Sequence, residues 1–395
     1  MADNKDKKVL NVPALRFPEF TGEWEKCKLS KVCSFFSGGT PPSSNKEYYN
    51  GNIPFIRSGE LHNDETELFI TKEGLDNSAA KMVEVGDLLL ALYGATSGEI
   101  AISKIKGAIN QAILCIRTKQ NKKFVESVWN KHVARLLQTY LQGGQGNLSA
   151  DIVKNIPFYF TNIEEQNKLA RFISLLDQRI AAQNKIIEKL ETLIKGIVVT
   201  HHRKYPYKQF VEISKLGKSF SVGVLSKEDL AEDGTPCILY GELFTTYNCV
   251  ADVIESRTNR TDNQVYSKGD ELLFPASTTV DAVSLITPTA LIVANVVLGG
   301  DMFGIHINKE YNAIYISYIL NYVYRQRIAK YAQGCTIIHL HYKDIKNFKL
   351  SLPPIEKQEK IVNTLNSMQE KIDCEKQNLR LLNDLRSFLL SKLFI

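Results

Sequence analysis

The chain has 395 residues, which is long enough for two domains with separate cores. Its hydrophobic fraction of 44% and charged fraction of 23% are typical of a globular protein and exclude a disordered one. No uninterrupted apolar run reaches the roughly 18 residues that a membrane-spanning helix needs. The net charge of +6 is compatible with a polyanionic partner but does not require one.

The cellular location is predicted from the N-terminus and the cysteines. Residues 1–12 are polar and charged, without the apolar segment of a signal peptide, and we expect them to form a flexible tail. The seven cysteines are scattered and include no Cys-x-x-Cys pair. We therefore expect free thiols, a cytoplasmic location and no membrane partner.

Residues 13–147 show the pattern of a mixed α+β domain. Turn signals such as Gly38–Pro42 separate short apolar runs such as Asp87–Tyr93, which predicts short strands. A helix is predicted near Phe124–Leu141, and a glycine-rich break at Gly143–Gly146 follows it.

Residues 148–202 show a helical pattern instead of the strand and turn signals of residues 13–147. From Glu164 to Val199 there is no proline, and apolar residues recur at alternating spacings of four and three. This heptad pattern predicts a long coiled-coil helix. The predicted seam contains Ile173, Leu176, Ile180, Gln183, Ile187 and Leu190.

The second half of the chain repeats this organisation. Pro54–Leu61 returns as Pro236–Leu243, and Ile163–Lys168 returns as Ile355–Lys360. A repeat this long indicates a duplicated domain-plus-helix unit rather than a solenoid, whose units run to about 20–50 residues. The fold class predicted is α+β, with two globular domains separated by long antiparallel coiled-coil helices in a pseudo-two-fold repeat.

The second unit divides into a domain at 203–338 and a helical region at 339–395. The second seam contains Leu365, Met368, Ile372, Glu375, Leu379 and Leu382. A helix of about 35 residues is about 50 Å long and cannot bury such a seam alone. Antiparallel pairing of the two helices within the chain is the simplest solution. Homodimerisation through the same seams is the alternative.

The ordered set of motifs resembles the specificity subunits of type I restriction–modification systems. It comprises the Gly39-Thr40-Pro41 turn, Pro54–Leu61, Gly86–Leu89, Tyr93–Gly98 and Ile163–Gln166, and it extends from about Trp24 to the C-terminus. The second domain departs more, because Pro275–Thr279 stands where the first has Tyr93–Gly98.

The resemblance implies a function and a set of partners. Two target recognition domains would each read one half of a bipartite double-stranded DNA target. The helices would set the length of the unspecified DNA spacer between the two half-sites. The helices would also dock two methyltransferase subunits, with two motor-nuclease subunits joining for cleavage. S-adenosylmethionine, ATP and Mg²⁺ would be bound by those partners, and no cofactor by this chain.

The sequence contains no catalytic motif of its own. There is no Asn/Asp-Pro-Pro-aromatic segment, no Gly-x-Gly-x-x-Gly and no Glu-x-Lys. Cys335, His339 and His341 lie close together but lack a fourth ligand, so we predict no metal site. We expect no catalytic residue in this chain.

DNA contacts are predicted from glycine turns, hydroxyl-bearing loops and arginines. Glycine has no side chain, so it lets the backbone approach a DNA duplex closely. Hydroxyl groups and Arg can form hydrogen bonds with base edges, and Arg can also bind phosphates. An ordinary turn or packing role is the alternative for each position. The predicted contacts are Gly38, Gly39, Thr40, Arg57, Tyr93, Thr96 and Ser97 in the first domain, and Tyr240, Arg257, Arg260, Ser277, Thr278 and Thr279 in the second.

Two other functions stay open at the level of the sequence. The chain could be the targeting subunit of a methyltransferase-only system without a nuclease. It could also be a coiled-coil scaffold whose globular domains bind proteins, which predicts no DNA affinity.

Overall fold

The computed structural model describes residues 10–140, 148–204 and 210–395. The chain divides into two compact units, the first formed by Met1–Asn184 with Gln377–Ile395 and the second by Lys185–Lys376. The predicted break at Gly143–Gly146 and most of the predicted N-terminal tail lie outside the described residues.

The first unit is a mixed α+β domain with parts of two long helices. Its strands are β1 (Glu25–Lys28), β2 (Cys33–Ser37), β3 (Tyr49–Ile56), β4 (Phe69–Ile70), β5 (Lys81–Val83), β6 (Leu88–Ala91), β7 (Ile100–Ile102), β8 (Gly107–Ile109), β9 (Ile113–Thr118) and β10 (Pro157–Phe160). Its helices are α1 (Leu29–Val32), α2 (Lys72–Asp76), α3 (Lys122–Tyr140), α4 (Ala150–Asn155) and α5 (Ile163–Lys204), which continues into the second unit, with 3-10 turns at Lys46–Tyr48 and Ser58–Glu60.

Two sheets organise the first domain, in the orders β2-β9-β6-β7 and β4-β3-β8-β5. Strand β6 is buried along its whole length, which explains its uninterrupted apolar sequence. Leu88 and Leu90 belong to one core cluster, whereas Leu89 and Ala91 belong to another. The two-residue period of a strand thus places β6 between two hydrophobic layers.

The second unit has the same kinds of element. Its strands are β11 (Phe210–Glu212), β12 (Gly217–Ser221), β13 (Leu230–Ala231), β14 (Thr235–Leu239), β15 (Val250–Ala251), β16 (Arg257–Thr258), β17 (Val265–Lys268), β18 (Glu271–Pro275), β19 (Ser277–Thr278), β20 (Thr289–Leu291), β21 (Ala294–Gly299), β22 (Met302–Ile307), β23 (Ile338–His339) and β24 (Lys349–Ser351). Its helices are α6 (Ile213–Leu216), α7 (Glu242–Thr245), α8 (Ala313–Ile319), α9 (Arg325–Ile328), α10 (Tyr342–Ile345) and α11 (Ile355–Leu393), which continues into the first unit, with a π-helical turn at Leu320–Tyr324 and 3-10 turns at Lys227–Asp229 and Ala329–Tyr331.

The sheets of the second unit repeat those of the first. The order β12-β22-β18-β20-β15 extends the pattern of β2-β9-β6-β7, and β13-β16-β14-β21-β17 extends that of β4-β3-β8-β5. The parallel pairs β3–β8 and β14–β21 occupy equivalent places. The predicted α+β class and internal repeat are confirmed.

Each domain is closed by an antiparallel strand pair that leads into a long helix. Strand β1 pairs with β10 immediately before α5, and β11 pairs with β24 immediately before α11. No helix in the described part of the chain is long and apolar enough to cross a membrane.

Helices α5 and α11 run antiparallel within each unit. In the first unit, Nε of Arg386 lies 2.6 Å from Oδ1 of Asp177, and Leu390 shares a core cluster with Ile173. In the second, Nζ of Lys376 lies 3.2 Å from Oε1 of Glu191. The seams are therefore paired inside one chain, as predicted, rather than between two chains.

All the predicted seam residues are buried or partly buried. The polar members Gln183 and Glu375 are only 2% and 8% exposed. Of the predicted domain boundaries, 202/203 falls inside α5 and 338/339 falls inside β23. The five-segment division of the chain stays a prediction.

Candidate nucleic-acid interface

The turn Gly38–Thr40 follows β2 and packs closely against the rest of its own domain. A Cβ atom on Gly38 would lie 1.8 Å from the carbonyl oxygen of Ile109, and one on Gly39 would lie 2.5 Å from Cβ of Ala79. Both glycines are thus required by intramolecular packing. Thr40 is exposed, and its hydroxyl lies 2.6 Å from Oε1 of Gln111.

Arg57 is held by two carboxylates. Its Nη2 lies 2.9 Å from Oε1 of Glu60 and 2.8 Å from Oε2 of Glu67. The hydrogen bond with Glu60, followed by that with Glu67, raises the pKa of Arg57 above its usual value. A DNA phosphate would have to compete with both carboxylates for this guanidinium.

The repeated Gly-Glu-Leu motif is a turn cap. Burial by itself would raise the pKa of Glu60, but hydrogen bonds from Arg57 and its neighbours lower it to about 2. Glu60 accepts the backbone N–H of Arg57 at 3.0 Å, and Glu242 accepts that of Leu239 at 2.7 Å in the second unit. We missed this role, although an acidic residue three positions into a turn is the sequence signal of a cap.

Tyr93, Thr96 and Ser97 lie on the hairpin between β6 and β7, and all three are partly buried. Gly94 and Gly98 have left-handed backbone angles, with φ of +88° and +87°. The hydroxyl of Ser97 donates to the carbonyl oxygen of Leu92 at 3.0 Å.

The same hairpin is anchored to the neighbouring helix α3. The indole Nε1 of Trp129 donates to the carbonyl oxygen of Gly98 at 2.8 Å. Gly94 and Ala95 are exposed at the tip. The hairpin is therefore a firmly held projection with a small-residue tip.

In the second unit, Arg257 in β16 and Arg260 just after that strand are both exposed. Nη1 of Arg257 donates to the carbonyl oxygen of Gly234 at 3.1 Å, and Nη1 of Arg260 lies 3.1 Å from Asp229. Tyr240 is 37% exposed, at the end of β14. Both arginines are anchored, but their neighbourhood is open to solvent.

Ser277 and Thr278 form β19, which pairs with β23. Ser277 lies opposite His339, and Thr278 lies opposite Ile338. Thr279 follows β19 and is exposed. The structure thus joins two segments that the sequence presents separately, and this pairing was not predicted.

Among the described residues, the side chains close enough to share a metal ion are Asp270, Glu271 and His306, whereas Cys335, His339 and His341 form no such three-residue cluster. Nδ1 of His306 lies 3.0 Å from Oδ1 of Asp270 and 3.3 Å from Oε1 of Glu271. The buried Glu271 also accepts the backbone N–H groups of Gly269 and Asp270, at 2.9 and 3.0 Å.

This cluster has a counterpart in the first unit that explains it without a metal ion. Arg117 Nη2 lies 2.7 Å from Asp87 Oδ2, and its guanidinium carbon lies 4.9 Å from the ring centre of Phe36. His306 likewise stacks on Phe220, with ring centroids 4.4 Å apart. A carboxylate, a cationic or imidazole group and an aromatic ring therefore form the same structural contact in both units.

The first unit also exposes apolar residues on its long helices. Phe172 and Leu175 of α5 are 38% and 55% exposed, and Leu381, Leu385 and Phe388 of α11 are 60%, 45% and 51% exposed. Phe172, Leu175 and Leu381 each directly precede a seam residue in the sequence. Leu385 and Phe388 precede Arg386 and Leu389, which continue the seam spacing of four and three beyond Leu382. Because the helices are antiparallel, this shared offset places all five on one face of the helix pair. We call it the apolar helix face.

The comparisons with known proteins agree with this architecture. The family model described as "Type I restriction modification DNA specificity domain" matches residues 21–192 and 208–384. The MjaVIII specificity subunit of a type I restriction enzyme from Methanocaldococcus jannaschii is 21% identical, with 94% of this chain and 92% of that protein covered.

Two solved structures share the fold. The S subunit of a type I restriction–modification system from M. genitalium has a TM-score of 0.59 at 16% identity, covering 97% of this chain and 99% of that one. A chain from work on complex assembly and conformational transition of the type I R-M system has a TM-score of 0.55 at 15% identity, covering 94% and 97%. With a family match over most of its length, in two copies, the chain belongs to the family of type I restriction modification DNA specificity domains.

Proposed function

We propose that this chain is the DNA sequence-specificity subunit of a type I restriction–modification complex, in which each unit reads one half of a bipartite double-stranded target. The observation that carries the proposal is the duplication of one α+β domain, each copy followed by a long helix that pairs within the chain. The two domains differ in their loops, as expected for modules that read different half-sites. The long helices set the length of the DNA spacer between the two half-sites.

In the first unit, the predicted contacts divide into two groups. Gly38, Gly39 and Arg57 act mainly within the domain, through close packing and through ion pairs. Thr40 and the tip of the β6–β7 hairpin remain available to DNA. Hydroxyl groups and exposed backbone amides are suitable donors and acceptors for base edges and phosphates.

In the second unit, the arginines and the hydroxyl residues have separate roles. Arg257 and Arg260 provide exposed positive charge, which suits phosphate contacts that fix the position of the duplex. Ser277, Thr278 and Thr279 present hydroxyl groups, and Tyr240 is a further surface contact.

The apolar helix face is the docking surface for a methyltransferase subunit. Exposed apolar clusters rimmed by polar residues are typical of protein–protein interfaces. The face is continued by a shallow groove, where Phe17 packs edge-on against Phe172 at 6.1 Å between ring centroids. Lys168 lies 4.5 Å from the ring centre of Phe17 at its rim.

The chemistry of the complex would belong to the partners. The methyltransferase subunits would bind S-adenosylmethionine, and the motor-nuclease subunits would bind ATP and Mg²⁺. This chain would select the DNA on which those activities take place. A complex with methyltransferase subunits alone would use the same surfaces.

A genome-wide map of N6-methyladenine tests the proposal. Single-molecule sequencing of cells with and without this gene should show methylation at one split motif that disappears with the gene. If co-purified methyltransferase subunits and this chain methylate no split motif in vitro, the proposal is wrong. A protein-binding scaffold predicts that negative result together with no DNA affinity.

A further inference from the structure

The strands β19 and β23 form a small antiparallel ribbon in the second unit, which we define as residues 277–280 with 333–341. The two strands are joined in register at Ser277–His339 and Thr278–Ile338. We propose that this ribbon enters the major groove and discriminates the bases of the second half-site, with His339 and His341 as specificity-determining residues. The inference rests on the proposed function, because it names the element that performs it.

The ribbon has one buried and one exposed face. Leu340 is fully buried, and its N–H donates to the carbonyl oxygen of Ala276 at 2.9 Å. His339 and His341, on either side of it in sequence, are both exposed. Since side chains alternate along an extended chain, the two imidazoles share the outer face, where their rings stack at 6.0 Å between centroids.

The opposite strand adds hydroxyl groups to that outer face. Directly opposed residues of an antiparallel pair place their side chains on the same side, so Ser277 shares the face of His339. Thr279 lies two residues further along and is exposed. Imidazole and hydroxyl groups can each donate and accept, which is the chemistry required to read base edges.

The segment before β23 folds back on that strand as a tight hairpin, residues 333–339. Gln333 and His339 exchange backbone hydrogen bonds of 2.9 and 2.7 Å. Gly334 has φ of +126°, and a Cβ there would lie 2.0 Å from the carbonyl oxygen of Ile337. The major groove of B-DNA is about 12 Å wide and accepts a two-stranded element such as this hairpin, with Ser277 and Thr278 beside it.

Exposed apolar residues and nearby charges favour DNA as the occupant. Val280 and Ile337 are 71% and 49% exposed, and such groups can contact a thymine methyl. Lys330 and Lys343 flank the hairpin and are exposed, which complements phosphate. The carboxylate of Asp344 is directed to the backbone N–H of His341, at 2.9 Å.

The test uses the full chain assembled with its methyltransferase subunits. Competition binding compares a duplex that carries both half-sites with duplexes in which the first or the second half-site is scrambled. In His339→Ala and His341→Ala complexes, we expect the preference for an intact second half-site to fall at least tenfold, with the preference for the first half-site unchanged. His62→Ala, which removes an exposed histidine of the first unit, is the matched control and should leave the second-half-site preference unchanged.

Other outcomes distinguish failure of the ribbon's proposed role from failure of the proposed function of the whole chain. If the unmodified complex prefers intact half-sites but both variants keep the second-half-site preference within twofold, the ribbon does not read DNA. If the unmodified complex shows no preference for any split target, the proposed function itself fails. Because binding is measured, a variant that loses methylation still gives a result.

Discussion

The carboxylate of Asp177 accepts a hydrogen bond of 2.6 Å from Nε of Arg386, and this contact joins α5 to α11 within the first unit. Nζ of Lys123 lies 2.6 Å from the other carboxylate oxygen. The long helices and helix α3 therefore meet at one acidic residue. The contact is only about a quarter exposed on either helix, at 28% for Asp177 and 27% for Arg386.

Asp177→Asn should lower the free energy of unfolding of the first unit by about 1–2 kcal/mol, because two cations lose a shared partner. Burial alone would raise the pKa of Asp177, but Arg386 and Lys123 lower it overall. Its contribution is therefore present above the unfolded pKa of about 3.9 and is lost as the pH falls through the folded value. Denaturant titration at neutral and acidic pH measures this. An equal effect of the substitution at both would contradict the ion-pair explanation.

Glu60→Gln should destabilise the first unit by about 2 kcal/mol at neutral pH, because the folded pKa of about 2 lies well below that of the unfolded chain. The stabilisation exists above the unfolded pKa of about 4.3 and disappears as the pH falls towards 2. Thermal unfolding followed across this range provides the measurement. Glu67→Gln, at an 87% exposed side chain, is the control and should have much less effect.

Gly38→Ala should lower the free energy of unfolding by about 1–3 kcal/mol, because the new Cβ would overlap the carbonyl oxygen of Ile109. Gly59→Ala is the matched control, since nothing lies within 4 Å of its Cβ position. Urea denaturation distinguishes the two variants. A Gly38→Ala protein of unchanged stability but weaker DNA binding would show that this turn serves DNA contact and not packing.

Replacing Leu385 and Phe388 together by serine should weaken association with the methyltransferase subunit at least tenfold, because the apolar helix face loses its central contacts. Co-purification and analytical ultracentrifugation measure the association. Val253→Ser is the control, at a position that is 71% exposed and lies on neither long helix. Full association of the double variant would place the partner on another surface.

The second unit's helices offer a comparison for this prediction. At the positions directly before seam residues, this part of α11 carries Thr364, Ser367 and Lys371 instead of large apolar residues. Ile186 and Leu193 of α5 are 38% and 52% exposed there. Substitution of Ile186 by serine should therefore weaken partner association less than the double change in the first unit.

The sequence by itself determined the duplicated units, the α+β class of each domain and the two heptad seams. These features depend on local periodicity, since alternation and heptad spacing are written within one segment. Ile173, Ile187, Leu365 and Ile372 are buried because the seam repeats at a helical spacing that only another helix can cover. The predicted DNA contacts remain predictions.

Only the tertiary structure decided which residues the predicted DNA-contact residues lie against. The local pattern predicts a turn at Gly38, but only the fold brings that turn against the carbonyl oxygen of Ile109. Ser277 and His339 are distant in sequence, and neither segment contains a signal for the other, because strand pairing depends on the register of the whole sheet. Local patterns therefore determined the elements, whereas the closure of long loops determined the surface that those elements present.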